Sequence, residues 1–191
     1  MDFRDIKENL KDFSVYIIII IAVILCVQYV VTIQQVLGPS MNPTLVEKDA
    51  VLLNKFAYRI GKIRRGDVVA LNYNGEKFMV KRVIGLPGEK IEYKNNVLYI
   101  NDEPFQEKYL GSDVETEDFL VSGSKVYTVN YNVDTLENLE SDVIPEDMYL
   151  VLGDNRQNSE DSRYYGLIKK EDIIGKTTIR IWPLSKIGLI K

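Results

Sequence analysis

The chain has no histidine and a single cysteine, Cys26. Without histidine, any serine that attacks a carbonyl must pass its proton to some other base. With one cysteine, which lies inside a long apolar run, there is no disulfide to staple the rest of the chain, and Cys/His zinc centres and cysteine nucleophiles are excluded. The domain outside that run must be held by its core alone. Basic residues are also missing from one stretch: after Lys11 the next is Lys48.

The apolar run occupies that gap. From Val15 to Ile33, with Ile17-Ile18-Ile19-Ile20-Ile21 at its centre, roughly 19 residues would cover about 28 Å as a helix, enough to cross a bilayer. A cleaved signal peptide is the competing reading, but the run exceeds a usual signal core and Val31-Thr32-Ile33-Gln34-Gln35 offers no small-x-small site. We therefore expect a retained anchor over residues 14–34. Arg4, Lys7 and Lys11 precede it, which places residues 1–13 in the cytoplasm and residues 35–191 outside, on a single-pass protein of the plasma membrane. Chain length and composition fit one anchor plus one domain with its own core.

Beyond Gln34 the sequence breaks into short apolar or alternating runs: 50–56, 67–73, 77–84, 90–93, 97–100, 148–152 and 177–182. They are strand-length and rich in Val, Ile, Leu and Tyr, and Asn74-Gly75 and Asn95-Asn96 signal hairpins between neighbours. The expected fold is an all-β domain with a barrel-like or sandwich core, plus a short helix after Asp147 or over 169–174. Residues 111–147 stand apart, with ten acids against the single base Lys125. That is a net charge of −9 in a chain of −4, so the remainder carries +5. A solvated acidic cap is the plainer reading; the alternative turns the basic remainder toward anionic lipid. Trp182 and the tail Ile187-Gly188-Leu189-Ile190 fit either the core or a rim at the membrane interface.

Ser40, in Gly38-Pro39-Ser40-Met41-Asn42-Pro43, would on composition be a turn hydroxyl. Its place changes that reading, because seven residues after Ile33 reach at most roughly 25 Å, which keeps Ser40 close to the membrane surface. The candidate base is Lys81. Strand alternation puts Lys81 with Met79 and Val83 on one face, and Phe78, Val80, Arg82 and Ile84 on the other, so both faces are mostly apolar. Desolvation there can lower an amine from about 10.4 by roughly 3 pH units, far enough to act as a base near neutrality. Pro39 has no N–H, so the nearest oxyanion donors are the backbone amides of Ser40 and Met41, with Gly38 nearby but lacking a hydroxyl. The polar loop from Gly153 to Gly166 does not fit a calcium loop, and it can supply a hydroxyl to orient the lysine. Ser122-Gly123-Ser124-Lys125 matches S-x-x-K, but the S-D-N and K-T-G partners of that motif are absent.

An apolar anchor, residues 38–45, Arg65-Gly66-Asp67-Val68-Val69, Lys81-Arg82-Val83-Ile84-Gly85-Leu86-Pro87-Gly88-Glu89 and the 153–166 loop, in this order, resemble the bacterial type I signal peptidases over essentially the whole chain. The resemblance implies Ser40 as nucleophile, Lys81 as general base and Ser159 as the hydroxyl that orients the lysine. Asp161 and Arg163 match the family's ion pair beside the site, Asp154 and Arg156 are similar support residues, and Met41, Met79 and Val80 resemble the lining of shallow substrate pockets. It further implies an all-β core, no metal or cofactor, and removal of signal peptides from exported preproteins, with small residues preferred at the first and third positions before the cut. Two positions depart from the pattern: Gln157 stands where aspartate is common, and Gly38 where some members have serine. The competing readings are a self-cleaving Ser/Lys repressor-type protease, disfavoured because no nucleic-acid-binding segment is present, and a membrane-tethered β-domain that binds exported proteins without catalysis.

Overall fold

The computed structural model describes residues 3–75, 77–110, 128, 130–133 and 142–190, with the side chains of 3–10 and 26–28 outside that description. The acidic segment 111–147 therefore lies mostly outside the described residues. Helix α1 (Phe3–Tyr29) precedes a mostly β domain. Its described side chains, 11–25, are exposed throughout. Among the described residues no helix is long and apolar enough to cross a membrane.

The helix stops short of the expected anchor boundary. Val31–Gln35 instead form strand β1, paired antiparallel with β2 (Ala50–Asn54) in the register Val31↔Asn54 to Gln35↔Ala50. Local chemistry explains the change, since Val31, Thr32 and Ile33 are β-branched and stiff at χ1, and β2 offers an open ladder. The chain thus leaves α1 directly into the sheet, and Ser40 follows β1 by five residues.

The strands form two antiparallel sheets, not one closed ring. In the larger sheet, β1 and β2 continue through β11 (Ile173–Trp182), β3 (Val68–Tyr73), β4 (Lys77–Gly85) and β9 (Met148–Leu152) to β10 (Ile168–Lys169), while β12 (Gly188–Leu189) adds to β11. The smaller sheet has β5 (Ile91–Lys94) and β6 (Val97–Ile100) at its centre, flanked by β8 (Tyr131–Asn132) and β7 (Glu103–Phe105). Both expected hairpins are present, with Asn74, Gly75, Asn95 and Asn96 all at positive φ; the pair Lys94↔Val97 leaves the two-residue loop of a type I′ turn at Asn95-Asn96, whereas Tyr73↔Lys77 leaves a three-residue loop between β3 and β4. The helix expected after Asp147 is strand β9, whose Tyr149, Leu150, Val151 and Leu152 are buried; around 169–174 only a single 3-10 turn, Lys170–Asp172, forms.

Strand β4 is the spine of the molecule. From Met79 to Gly85 every residue is buried, because both of its faces are covered. Met79 and Val83 pack with Val69, Leu71 and Val151 on one side. Val80 packs with Met41, Leu45 and Val51 on the other, and Ile84 continues into the cluster of Ile91, Tyr93, Leu98 and Leu150 that joins the two sheets. Trp182 is 55% exposed, and Ile187 and Leu189 are exposed too, whereas Ile190 packs against the cluster of Val36, Met41 and Val80.

Candidate active site

Lys81 sits at the middle of this doubly covered strand, opposite Val69 of β3, and is only 3% exposed. On its other flank β4 pairs with β9 through Arg82↔Leu152 and Val83↔Val151, so the loop that leaves β9 at Gly153 emerges beside the lysine. That loop is folded back by its own polar groups. The Val151 N–H donates to Ser162 Oγ (3.0 Å) and the Gly153 N–H to Asp161 Oδ2 (3.0 Å), which brings Ser159 over Lys81. The Lys81 ammonium donates to Ser159 Oγ at 3.1 Å.

Electrostatics follow from burial. Desolvation pushes Lys81 down to about 8; the Asp161 carboxylate opposes the fall, while Lys77 and Arg163 add to it. Burial would by itself raise the Asp161 carboxyl, but the Arg163 guanidinium, the Gly153 amide and a hydrogen bond with Ser159 outweigh it and hold it below its ordinary value. Arg163 donates to Asp161 through Nε (2.7 Å) and a terminal nitrogen (2.8 Å), a bidentate pair that keeps the acid ionised.

Ser40 is brought to the same place by a second set of contacts. Asn155 donates its backbone N–H to the Ser40 carbonyl (3.0 Å) and its side-chain amide to the Pro39 carbonyl (3.2 Å), pinning the 38–45 turn to the 153–158 loop. Gly153 makes this possible: a Cβ there would lie 2.2 Å from Ser159 Oγ and 2.4 Å from the Ser40 carbonyl oxygen. Only a residue without a side chain lets the two loops close on each other. Among the described residues the Ser40 N–H has no acceptor. Ser40, Lys81 and Ser159 line one cleft of about 590 Å³, whose walls include Met41, Met79 and Val80. Gly38 and Gln157 lie on the same wall, and Lys77 and Glu160, ion-paired at 2.6 Å, form part of its rim.

The side chains of Asp154 and Arg156 reach different partners, although the Arg156 N–H donates to the Asp154 carbonyl (3.1 Å). Asp154 takes Arg82, with Nε on Oδ1 (2.8 Å) and a terminal nitrogen on Oδ2 (2.7 Å), and accepts Thr44 Oγ1 at 2.5 Å. Because Arg82 is the residue after Lys81, it projects to the opposite face of β4, and through Asp154 it braces Thr44, four residues after Ser40. Arg156, fully enclosed, donates to the Gly153 carbonyl (3.0 Å), to Tyr93 Oη (2.9 Å) and to Glu107 (2.5 Å). It ties the loop to the smaller sheet. Sequence reasoning missed Arg82, Thr44, Asn155 and Glu107. For Arg82 the signal was available, a second cation in an otherwise apolar strand; for Glu107, distant in sequence and in an ordinary polar stretch, there was none.

Comparison with known proteins bears directly on this geometry. Residues 9–182 match the model of a family described as signal peptidase, peptidase S26. The chain belongs to that family. It is 38% identical over 183 residues to signal peptidase IB of Staphylococcus aureus (strain Mu50 / ATCC 700699), covering 94% of this chain and 93% of that protein. It is 40% identical over 150 residues to signal peptidase I of Bacillus caldolyticus, 78% of each. A crystal structure of a signal peptidase I from Enterococcus faecalis V583 superposes with a TM-score of 0.52 at 42% identity, covering 61% of this chain and 97% of that one. The family activity, removal of signal peptides from preproteins by a serine peptidase, is accordingly the activity of this chain, and the family is membrane-associated.

Proposed function

We propose that Ser40 is the nucleophile and Lys81 the general base of signal-peptide cleavage. The observation that carries this is Lys81 itself, an amine 3% exposed, lowered to about 8, held by Ser159 and lining the same cleft as Ser40. In a chain without histidine it is the base the site offers.

Neutral Lys81 takes the proton from Ser40 Oγ as that oxygen bonds to the scissile carbonyl carbon, and the Ser40 N–H donates to the oxyanion. The tetrahedral adduct collapses when the Lys81 ammonium returns its proton to the leaving amine, leaving an acyl-Ser40. Water, deprotonated by the same lysine, then attacks the ester; the C–Oγ bond breaks, Ser40 Oγ recovers that proton from Lys81, and the acid product leaves as a carboxylate after losing its own proton to solvent. Ser159 orients the amine, and Asp161 with Arg163 holds Ser159. Met41, Met79 and Val80 supply the apolar walls for the substrate residues before the cut. Asp154 and Arg156 support the two loops without taking part.

We further read α1 as a single-pass anchor with residues 1–13 cytoplasmic and the β domain outside, in contact with the bilayer that delivers the substrate. The Arg4, Lys7 and Lys11 flank and the exposed aliphatic side chains from Val15 to Leu25 support this. The test is cleavage of a membrane-inserted preprotein by the full-length chain and by Ser40→Ala and Lys81→Ala. Loss of cutting in both variants is expected; full activity in either would overturn the assignment in favour of a tethered binding domain.

A further inference from the structure

Residues 55–65, Lys55-Phe56-Ala57-Tyr58-Arg59-Ile60-Gly61-Lys62-Ile63-Arg64-Arg65, contain five bases and no acid. The segment is fastened to the domain by buried Ile63, by Arg65, which turns inward to Glu89 (2.5 Å) and the Ile84 carbonyl, and by the Tyr58 hydroxyl (2.9 Å) and the Arg64 backbone N–H (3.0 Å), which both donate to Asp67. The other bases point elsewhere. Among the described residues no side chain of Lys55, Arg59, Lys62 or Arg64 hydrogen-bonds or ion-pairs with a carboxylate, and the last three residues are exposed. Between them stand two exposed apolar side chains, Phe56 (39%) and Ile60 (79%), four residues apart across the short helix α2 (Ala57–Ile60), hence on one side of it. Protruding apolar groups interleaved with unpaired cations match what the interface of an anionic bilayer accommodates.

Position supports the same occupant. The Lys55 N–H donates to the Val30 carbonyl at 2.9 Å, and Asn54 is the register partner of Val31. The segment therefore begins one backbone hydrogen bond from the residue at which the chain leaves α1. One side of the strip opens on a cleft of about 880 Å³ that Lys55 and Arg59 line together with Glu146, Asp147, Glu171, Lys169 and Lys170, and Lys170 is ion-paired with Asp147. With Lys170 on Asp147 and Lys169 on Glu171, Glu146 is the one acid of this lining outside those two pairs, so the strip keeps an excess of positive charge, with Lys62 and Arg64 outside the cleft altogether.

We propose that residues 55–65 form a headgroup-binding strip that holds the β domain down on anionic phospholipid beside the foot of α1. This rests on reading α1 as a membrane anchor. The lipid surface supplies phosphodiester anions for Lys55, Arg59, Lys62 and Arg64, while Phe56 and Ile60 enter the interfacial layer. By this means the catalytic domain would be oriented through a second contact besides its covalent tether.

The experiment is hydrogen exchange on the full-length chain in bilayer discs, comparing pure phosphatidylcholine with a mixture containing phosphatidylglycerol. Amides of 55–65 should exchange roughly tenfold more slowly on the anionic discs, and high salt should remove the difference. A variant carrying Lys55→Gln, Arg59→Gln, Lys62→Gln and Arg64→Gln should be indifferent to lipid charge while cutting a detergent-presented preprotein at the wild-type rate. Equal exchange of 55–65 on both discs, with residues 13–25 strongly protected, would overturn the strip and leave the anchor standing. Rapid exchange of 13–25 on both discs would overturn the anchor and the strip together. Protection on phosphatidylcholine discs brought by free inorganic phosphate, or by added preprotein, would overturn the lipid as occupant in favour of a small anion or a protein.

Discussion

As the proposed base, Lys81 would tie activity and stability to one titration, and the two can be separated. Burying this amine lowers it from 10.5 to about 8. At about 1.4 kcal/mol per tenfold change, holding the charged form inside costs about 3 kcal/mol. A group lowered in this way penalises the fold wherever it is charged in both states, below pH 8, and the penalty disappears as the pH rises through 8 to above 10.5. Lys81→Met removes the charge while filling similar volume. Unfolding in urea, followed by Trp182 fluorescence in detergent, should therefore show the stability difference between variant and wild type shifting by about 3 kcal/mol between pH 7 and pH 11, with the variant relatively better at the lower pH. A constant offset from the lost hydrogen bond to Ser159 does not affect that shift. The variant should be inactive at every pH, whereas wild-type kcat/KM should rise with pH and reach half its plateau near 8. A pH-independent stability difference, or a wild-type profile already flat from pH 6, would refute the reasoning, since either result means that Lys81 is not a desolvated base.

Three further outcomes follow from the same geometry. Gly153→Ala should abolish cleavage and destabilise the domain by about 1 to 3 kcal/mol, because its methyl group would lie 2.2 Å from Ser159 Oγ and 2.4 Å from the Ser40 carbonyl; steady-state kinetics and thermal unfolding read the two effects. Ser159→Ala should lower kcat roughly 10² fold with little change in KM, as the lysine loses its orienting partner but the cleft walls stay. Glu107→Gln leaves the enclosed Arg156 guanidinium without its counter-charge, and should destabilise the chain by about 3 to 5 kcal/mol in urea titrations, although Glu107 lies outside the cleft.

Much of this protein could be read in one dimension. The β domain, both hairpins and the apolar strand carrying Lys81 follow from period-two patterning and Asn/Gly turn chemistry, which are local properties of the chain. Missing histidine left lysine as the candidate base, and the order of motifs pointed to the family. The helix end at Tyr29 was not legible, because Val31-Thr32-Ile33 is equally apolar in an anchor and in an edge strand, and only the presence of β2 decides between them. Nor was the second side of β4: alternation placed Lys81 and Arg82 on opposite faces, but that Lys81 meets Ser159 while Arg82 meets Asp154 depends on how the loop after β9 closes. The sequence by itself determined which groups are present and which faces they share, since strand geometry sets both. Tertiary structure alone decided how far the lysine falls, which carboxylate answers Arg82 and Arg156, and that a glycine at 153 lets Ser40 and Ser159 come together, because desolvation and close approach arise only when segments distant in sequence are packed against each other.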